Sequence, residues 1–344
     1  MRMLWYLRQL ESTRRRWGLS ALRKLIEDRN GMRCSTEGIN TDQRLSQDDQ
    51  KETRYPMGGE PWSNWSRWGP DDQRGTLNLL GPRAVVEAAT LVKTGKVYPL
   101  AIPVEAALSS PMREGALHIS TVRKDATESK RQVAIDVIAL HTHDFTHMDS
   151  LAHVGYGGFL YNGVPAESIG YNGAERLGIQ NIGAIAGRAI LADVARTLGA
   201  DSLEAGYAIT AGDLERTLRQ EGVEPRSGDI LLVRTGWITR YLADRTVTNS
   251  GWPGIGLSTV QWLHDHSVCA VGADNVAVEV KPFEDERRSF IVHERFIRDH
   301  GGYLIEFMNL EELASEEVYE SFFILAPLYL SGGLGSPVTP VAIG

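Results

Sequence analysis

Residues 210–235 read Thr-Ala-Gly-Asp-Leu-Glu-Arg-Thr-Leu-Arg-Gln-Glu-Gly-Val-Glu-Pro-Arg-Ser-Gly-Asp-Ile-Leu-Leu-Val-Arg-Thr. Thr210 ahead of the run Asp213–Leu218, with Gly222 behind it, predicts a helix with a hydroxyl at its start and a glycine at its end. The run Asp229–Thr235 follows Gly228, is apolar through its middle and is too short for a helix, so it predicts a buried strand. The same alternation extends outward. Pro82 and Gly95 bracket a helix over Ala84–Thr94, and Ser258 caps one running through Trp262 and His264. Val268–Gly272 is a strand, Ile291–His300 is a helix ending at Gly301-Gly302, and Tyr303–Phe307 and Phe322–Leu328 are strands again. Strands separated by helices of this length predict an α/β fold whose sheet is largely covered by helices.

The chain has 344 residues, 42% hydrophobic and 23% charged, which fits a folded protein of about two domains, or one unit with insertions, and excludes disordered, collagen-like and coiled-coil chains. Its net charge of −8 is uneven. Residues 1–33 hold nine Lys or Arg against three acids, so this arm is +6 and the remainder −14. An acidic body repels a phosphate backbone, so no nucleic-acid partner is expected. Arg14-Arg15-Arg16 lacks the apolar stretch of an export signal, and no run of about 18 apolar residues exists to span a membrane, so a cytoplasmic protein is expected. Residues 34–60 are polar and read as a linker; the chain is divided into a basic arm and linker, 1–55, and a catalytic body, 56–344. Leu4, Leu7 and Leu10, then Leu19, Leu22, Leu25 and Ile26, give the arm a helical periodicity that suits a surface or subunit-contact helix. Cys34 and Cys269 cannot make a disulfide framework or a thiolate zinc site, so any metal must be held by His and carboxylate.

Val133–His153, VAIDVIALHTHDFTHMDSLAH, carries the chemistry. Val133, Ile135, Val137 and Ala139 share one parity, which predicts a strand with one buried face. Four of the nine histidines then fall within thirteen positions, with Asp149 among them. His147 and Asp149 lie four and six residues after His143, and His153 lies ten after it. That mixture suits a strand that turns at Asp144-Phe145-Thr146 and folds its ligands back on one point. Two imidazoles and a carboxylate are the usual donor set of a catalytic divalent ion, and Zn²⁺ and Mn²⁺ both fit.

These residues resemble the cyclase family of metal-dependent hydrolases, which includes bacterial kynurenine formamidases, isatin hydrolases and trans-dienelactone hydrolases. The family pattern His-x-Gly-Thr-His-x-Asp-x-Pro-x-His falls on His143, Thr146, His147, Asp149 and His153, with Phe145 in place of Gly and Leu151 in place of Pro. The resemblance continues through Asp71–Leu80, Gly187-Arg188, Gly228-Asp229 and Gly332–Pro337, is to the longer members in particular, and covers about residue 60 to the C-terminus. It implies a swivelling β/β/α-type fold. It implies a first ion held by His143, His147 and Asp149, with His153 as general acid/base. A second ion would bridge through Asp149 to His293 and Glu306, an interval one residue longer than in the formamidases; isatin hydrolases use one manganese ion, so one or two ions are implied.

The function expected is therefore hydrolysis of an amide, lactam, lactone or ester bond in a small cyclic or aromatic compound, by a homodimer or homotetramer. Tyr156 and Phe159, close behind the histidines, are candidate substrate contacts, whereas Trp62, Trp65 and Trp68 are expected in packing. The competing reading is a non-haem Fe(II) oxygenase using His147, Asp149 and His293, which would require an all-β jelly roll and leaves His143 and His153 unused. Gly254-Ile255-Gly256 and Gly332–Gly335 lack the phosphate-cradling patterns and read as turns. No G-x-S-x-G elbow occurs, and Cys269 sits in an apolar strand as a core residue. His300 is expected at a helix C-terminus, where a cation is favoured.

Overall fold

The run Ile230–Arg234 is the middle strand of a nine-stranded mixed sheet in a computed structural model that describes residues 63–105, 116–124, 131–285 and 287–344. In chain order the labelled strands are β1 (Val97–Pro99), β2 (Leu117–Lys124), β3 (Gln132–Ala139), β4 (His147–Asp149), β5 (Ile185–Asp193), β6 (Ile230–Arg234), β7 (Ala270–Ala273), β8 (Tyr303–Glu306), β9 (Glu320–Leu325), β10 (Gly335–Pro337) and β11 (Val341–Ile343). The large sheet runs β1-β11-β9-β5-β6-β7-β8-β4-β10. Its centre, β5-β6-β7-β8, is parallel, and every other pairing is antiparallel. The central strands are apolar on both faces because both are covered; Ile190, Leu231, Leu232, Val271 and Leu304 are fully buried. Helices and parallel strands of this kind are the expected α/β architecture and not the jelly roll that the oxygenase reading requires.

Three of the main helices lie where their sequence signals place them, with shifted ends, and a fourth, Trp237–Ala243, was not expected. The main ones are α1 (Pro82–Ala89), α2 (Ala211–Glu221), α3 (Trp237–Ala243) and α4 (Ser258–Asp265). Helix α2 begins with a reciprocal cap: the Thr210 hydroxyl accepts from the Asp213 N–H at 3.2 Å, and the Asp213 carboxylate accepts from the Thr210 N–H at 2.9 Å. It ends at Gly222, which is left-handed at φ 71°. Helix α1 stops at Ala89, short of Thr94, where the Thr90 hydroxyl donates to the Glu87 carbonyl at 2.7 Å and closes the last turn. Ser258 is the first residue of α4 and not its cap, which is Leu257.

Two motif pairs of the resemblance serve the sheet. Arg188 on β5 donates through Nε to Glu320 on β9 at 2.8 Å and through Nη1 to Asp229 at 3.3 Å, so the Gly187-Arg188 and Gly228-Asp229 pairs form a buried ion cluster among neighbouring strands. The segment Asp71–Leu80 braces the far end of the sheet. Asp72 accepts from the Gly75 N–H at 2.9 Å, and Gly75 packs so tightly that a Cβ there would stand 2.2 Å from the Gly301 carbonyl oxygen.

By contact, 63–117 and 139–344 belong to one unit, and 118–138 to another. Strands β2 and β3 pair only with each other. The expected strand over Val133–Ala139 forms, but its buried face does not: all eight residues of β3 are exposed, Val137 at 61% and Ile135 at 46%. Alternation reports a pleated strand and cannot report whether a second layer covers it. The arm, the boundary at 55/56 and Trp62 lie outside the described residues. Among the described residues no helix is long and apolar enough to cross a membrane.

Candidate metal centre

Strand β4 is three residues long and holds two of the candidate ligands. His147 and Asp149 point to one face, while Met148, fully buried, points into the core on the other. Register sets the rest. Across β8, Glu306 lies opposite His147; across β10, Gly335 lies opposite Asp149. The chain enters β4 through Phe145, left-handed at φ 56° where the family pattern has glycine. That conformation costs a non-glycine residue roughly 1–2 kcal/mol. It is offset by burying the ring among Trp237, Trp252 and Phe307 and by Thr146, whose hydroxyl donates to the Phe307 carbonyl at 2.6 Å and accepts from the Ile102 N–H at 2.9 Å.

The sequence-predicted ligands converge. His143 Nε2 and His147 Nε2 each stand 3.6 Å from Asp149 Oδ1, and His153 Nε2 stands 3.9 Å from it. His147 Nε2 is 3.2 Å from Glu306 Oε2, and His293 Nε2 is 3.1 Å from Glu306 Oε1. Two groups could each hold an ion, His143-Asp149-His153 and Asp149-His293-Glu306, with Asp149 common to both. His147 lies between them through its approaches to Asp149 and Glu306. His141, which continues the β3 parity, is exposed and takes no part.

The electrostatics show what this cluster lacks. Both Asp149 carboxylate oxygens are buried without a hydrogen-bond partner among the described residues, an expensive state for a charged group. Burial, with Glu306 adding to it, pushes the Asp149 pKa up, against the pull of the surrounding imidazoles. Glu306 is driven well below the usual carboxylate range, burial being outweighed by His147 and His293. Burial lowers the His147 pKa, but Glu306 and Asp149 outweigh it and the net shift is upward. Burial likewise opposes the His293 proton, yet Glu279 and Glu306 on its two nitrogens carry its pKa up to about 10. Orphaned carboxylate oxygens amid imidazole nitrogens are what a divalent cation satisfies, so the residues fit such an ion.

The chain between His293 and Glu306 opens with a π-helical turn. Ile291–His293 is a single helical turn, and Glu294–Asp299 continues it as a π-helix, with the His300 N–H bonded to the Arg295 carbonyl at 3.1 Å. The closing glycines also belong to the site: a Cβ on Gly335 would stand 2.5 Å from His143 Nε2. His300 closes the π-helix at its C-terminal end, as expected, but not as a cation. It is fully buried between the Asn64 amide and the Val268 carbonyl, and burial lowers its pKa to about 3, so it is a neutral core residue. Tyr156 donates to Asp299 at 2.5 Å and accepts from Arg295 at 2.6 Å behind His293, while Phe159 is half-buried and pairs with Tyr156 through its backbone. Trp65 donates to the Arg298 carbonyl at 2.7 Å, in packing as expected, and burial raises the Cys269 thiol to about 12, as for a core residue. Glu279 is the participant that sequence reasoning missed.

The chain matches the family described as "Putative cyclase" over residues 78–280, more than half its length. It belongs to the cyclase family. A solved structure described as a novel cyclase is 36% identical, covering 82% of this chain and 99% of its own, with a TM-score of 0.76. Isatin hydrolase A from Ralstonia solanacearum is 18% identical, over 72% of this chain and 91% of its own, with a TM-score of 0.52. Isatin hydrolase A from Labrenzia aggregata, bound to benzyl benzoate, is 18% identical over 78% and 98%, with a TM-score of 0.51. These two likenesses are of fold alone. Among curated proteins, none matches.

Proposed function

We propose that this cyclase-family chain is a metal-dependent hydrolase that cleaves an amide, lactam, lactone or ester bond in a small cyclic or aromatic compound. The observation that carries the reading is Asp149, buried with both oxygens unpartnered and three imidazole nitrogens within 3.6–3.9 Å of one of them. His143, His147 and Asp149 would hold a first Zn²⁺ or Mn²⁺, and Asp149, His293 and Glu306 would hold a second. Such an ion polarises a carbonyl and brings the pKa of water from 15.7 down to about 7. The chain's own residues do the remaining work. His147 donates Nδ1–H to the Phe145 carbonyl at 2.9 Å, which fixes the ring so that Nε2, the nitrogen facing Asp149 and Glu306, is the one that would meet an ion. His153 has the most exposed side chain of the site histidines, at 26%, so it can take a proton from water and deliver it to the leaving amine or alkoxide. The isatin hydrolases of this fold support a lactam or its relatives as the substrate class.

The test is metal analysis of protein purified without chelator, followed by anaerobic turnover of an amide, lactam and lactone panel. Bound divalent ion and oxygen-independent hydrolysis are expected, with both lost in Asp149→Ala. Near-stoichiometric metal in that variant would sink the assignment.

A further inference from the structure

We propose that Glu279 is a positioning residue that fixes the tautomer and orientation of His293 and thereby tightens the second ion selectively. The inference rests on the hydrolase reading and adds to it a residue outside the donor set. Glu279 is 1% exposed in the segment after β7, and one of its oxygens serves three donors. Oε2 accepts from His293 Nδ1 at 3.0 Å, from the Val292 N–H at 3.1 Å and from the His293 N–H at 3.3 Å. A carboxylate oxygen only accepts, so Nδ1 carries a proton toward Glu279; Nε2 likewise faces Glu306 at 3.1 Å, and it is this Nε2 proton that an ion held by Glu306 would displace, while the Glu279 contact keeps the proton on Nδ1. The two backbone donors do not titrate and lock the carboxylate to the turn that bears the imidazole.

The loop holding Glu279 is over-determined, as a segment that must aim one side chain should be. Val278, just before it, is left-handed at φ 56°. Asn275 pins it on both sides, accepting from the Val278 N–H at 2.6 Å and donating to the Val278 and Pro253 carbonyls at 3.2 and 2.5 Å. The Glu279 carbonyl in turn accepts from the Trp252 indole at 2.9 Å. A β-branched residue is strained in that conformation, and it is held there by the Asn275 hydrogen bonds.

The two ions are thereby set apart by what stands behind their histidines. His147 leans on a neutral backbone carbonyl, whereas His293 leans on a buried carboxylate, which raises the basicity of the ligating nitrogen. Loss of such an outer partner typically costs 10–100-fold in metal affinity.

Full-length wild type, Glu279→Gln, His293→Ala and the double variant, all stripped of metal, are titrated calorimetrically with Mn²⁺ alone. Wild type is expected to take two ions. Glu279→Gln should hold the first unchanged and the second about 10–100-fold more weakly, and should add nothing once His293 is gone. Equal second-ion affinity in wild type and Glu279→Gln overturns the proposal, as does a single ion that neither Glu279→Gln nor His293→Ala weakens; both results leave the hydrolase reading standing. A wild type that binds no Mn²⁺ removes the hydrolase reading as well. If Glu279→Gln does not fold, nitrogen NMR of Zn²⁺-loaded wild type, with His293 assigned by its absence in His293→Ala, decides: protonated Nδ1 supports the proposal and protonated Nε2 overturns it.

Discussion

His153 sits at the rim of the cluster, and its place there separates proton transfer from metal holding. Its ring stacks on His143 with centroids 4.0 Å apart, so the two imidazoles share one wall while only His153 is substantially open to solvent. If it moves a proton, His153→Ala keeps its metal and loses about 10²–10⁴ in kcat. The loss should be larger for an amide or lactone than for a nitrophenyl ester, whose leaving group needs no proton. Metal content and kcat on both substrates check this; loss of metal first, rescued by excess Mn²⁺, would make His153 a ligand instead. At this scale the first histidines are legible because one strand-turn-strand delivers them contiguously, and spacings of +4, +6 and +10 around a turn bring side chains to a common point. His293 and Glu306 come only from resemblance, since strand pairing between β4 and β8 joins residues over 150 positions apart. Glu279 has no signal at all: a lone acid after Val276-Ala277-Val278 looks like a surface residue until the loop folds it inward.

Elements are legible where chemistry is local. The reciprocal cap of α2 and its closing Gly222 need only neighbours in sequence, and both are present in the fold. The exposure of β3 is not legible, because it depends on a layer that no local pattern encodes. The C-terminus of α2 carries a further consequence. Glu221 accepts from the Asp193 N–H at 2.8 Å through one oxygen, while the other is buried without a partner among the described residues. Burial, with Asp193 adding to it, pushes its pKa up to about 8, against the Asp193 hydrogen bond and Arg196. Because the folded value lies above the unfolded one of about 4.3, the folded state keeps a proton that the unfolded state has released. Stability therefore falls as pH rises from about 4.5 to 8. Glu221→Gln keeps an acceptor and removes the titration. Its melting temperature should match wild type near pH 4.5 and exceed it progressively toward pH 8; a constant offset across that range would show that Glu221 is not the titrating group.

Across the whole sequence, charge is divided between a long acidic stretch that contains the site and a basic N-terminal segment. Every residue assigned to the ions or to their orientation, from His143 to Glu306, lies in the unit formed by 63–117 and 139–344. The 36%-identical cyclase structure is matched over 99% of its own length by 82% of this chain, so the family architecture leaves part of this chain over. Assembly as a homodimer or homotetramer is the reading supported by the exposed valines and isoleucines of β3, which water would otherwise have to cover. Sedimentation of the intact chain should give twice or four times the 38.0 kDa monomer. Deleting residues 1–55 is expected to leave a folded protein with the same ion stoichiometry, the same hydrolysis rate and a melting temperature close to that of the intact chain. Any change should fall on the sedimentation mass, because a +4 segment on a −12 body is suited to bridging copies and not to holding an ion. If the shortened chain is insoluble, or folds but binds no metal, the arm is part of the catalytic fold and the division at residue 55 is misplaced.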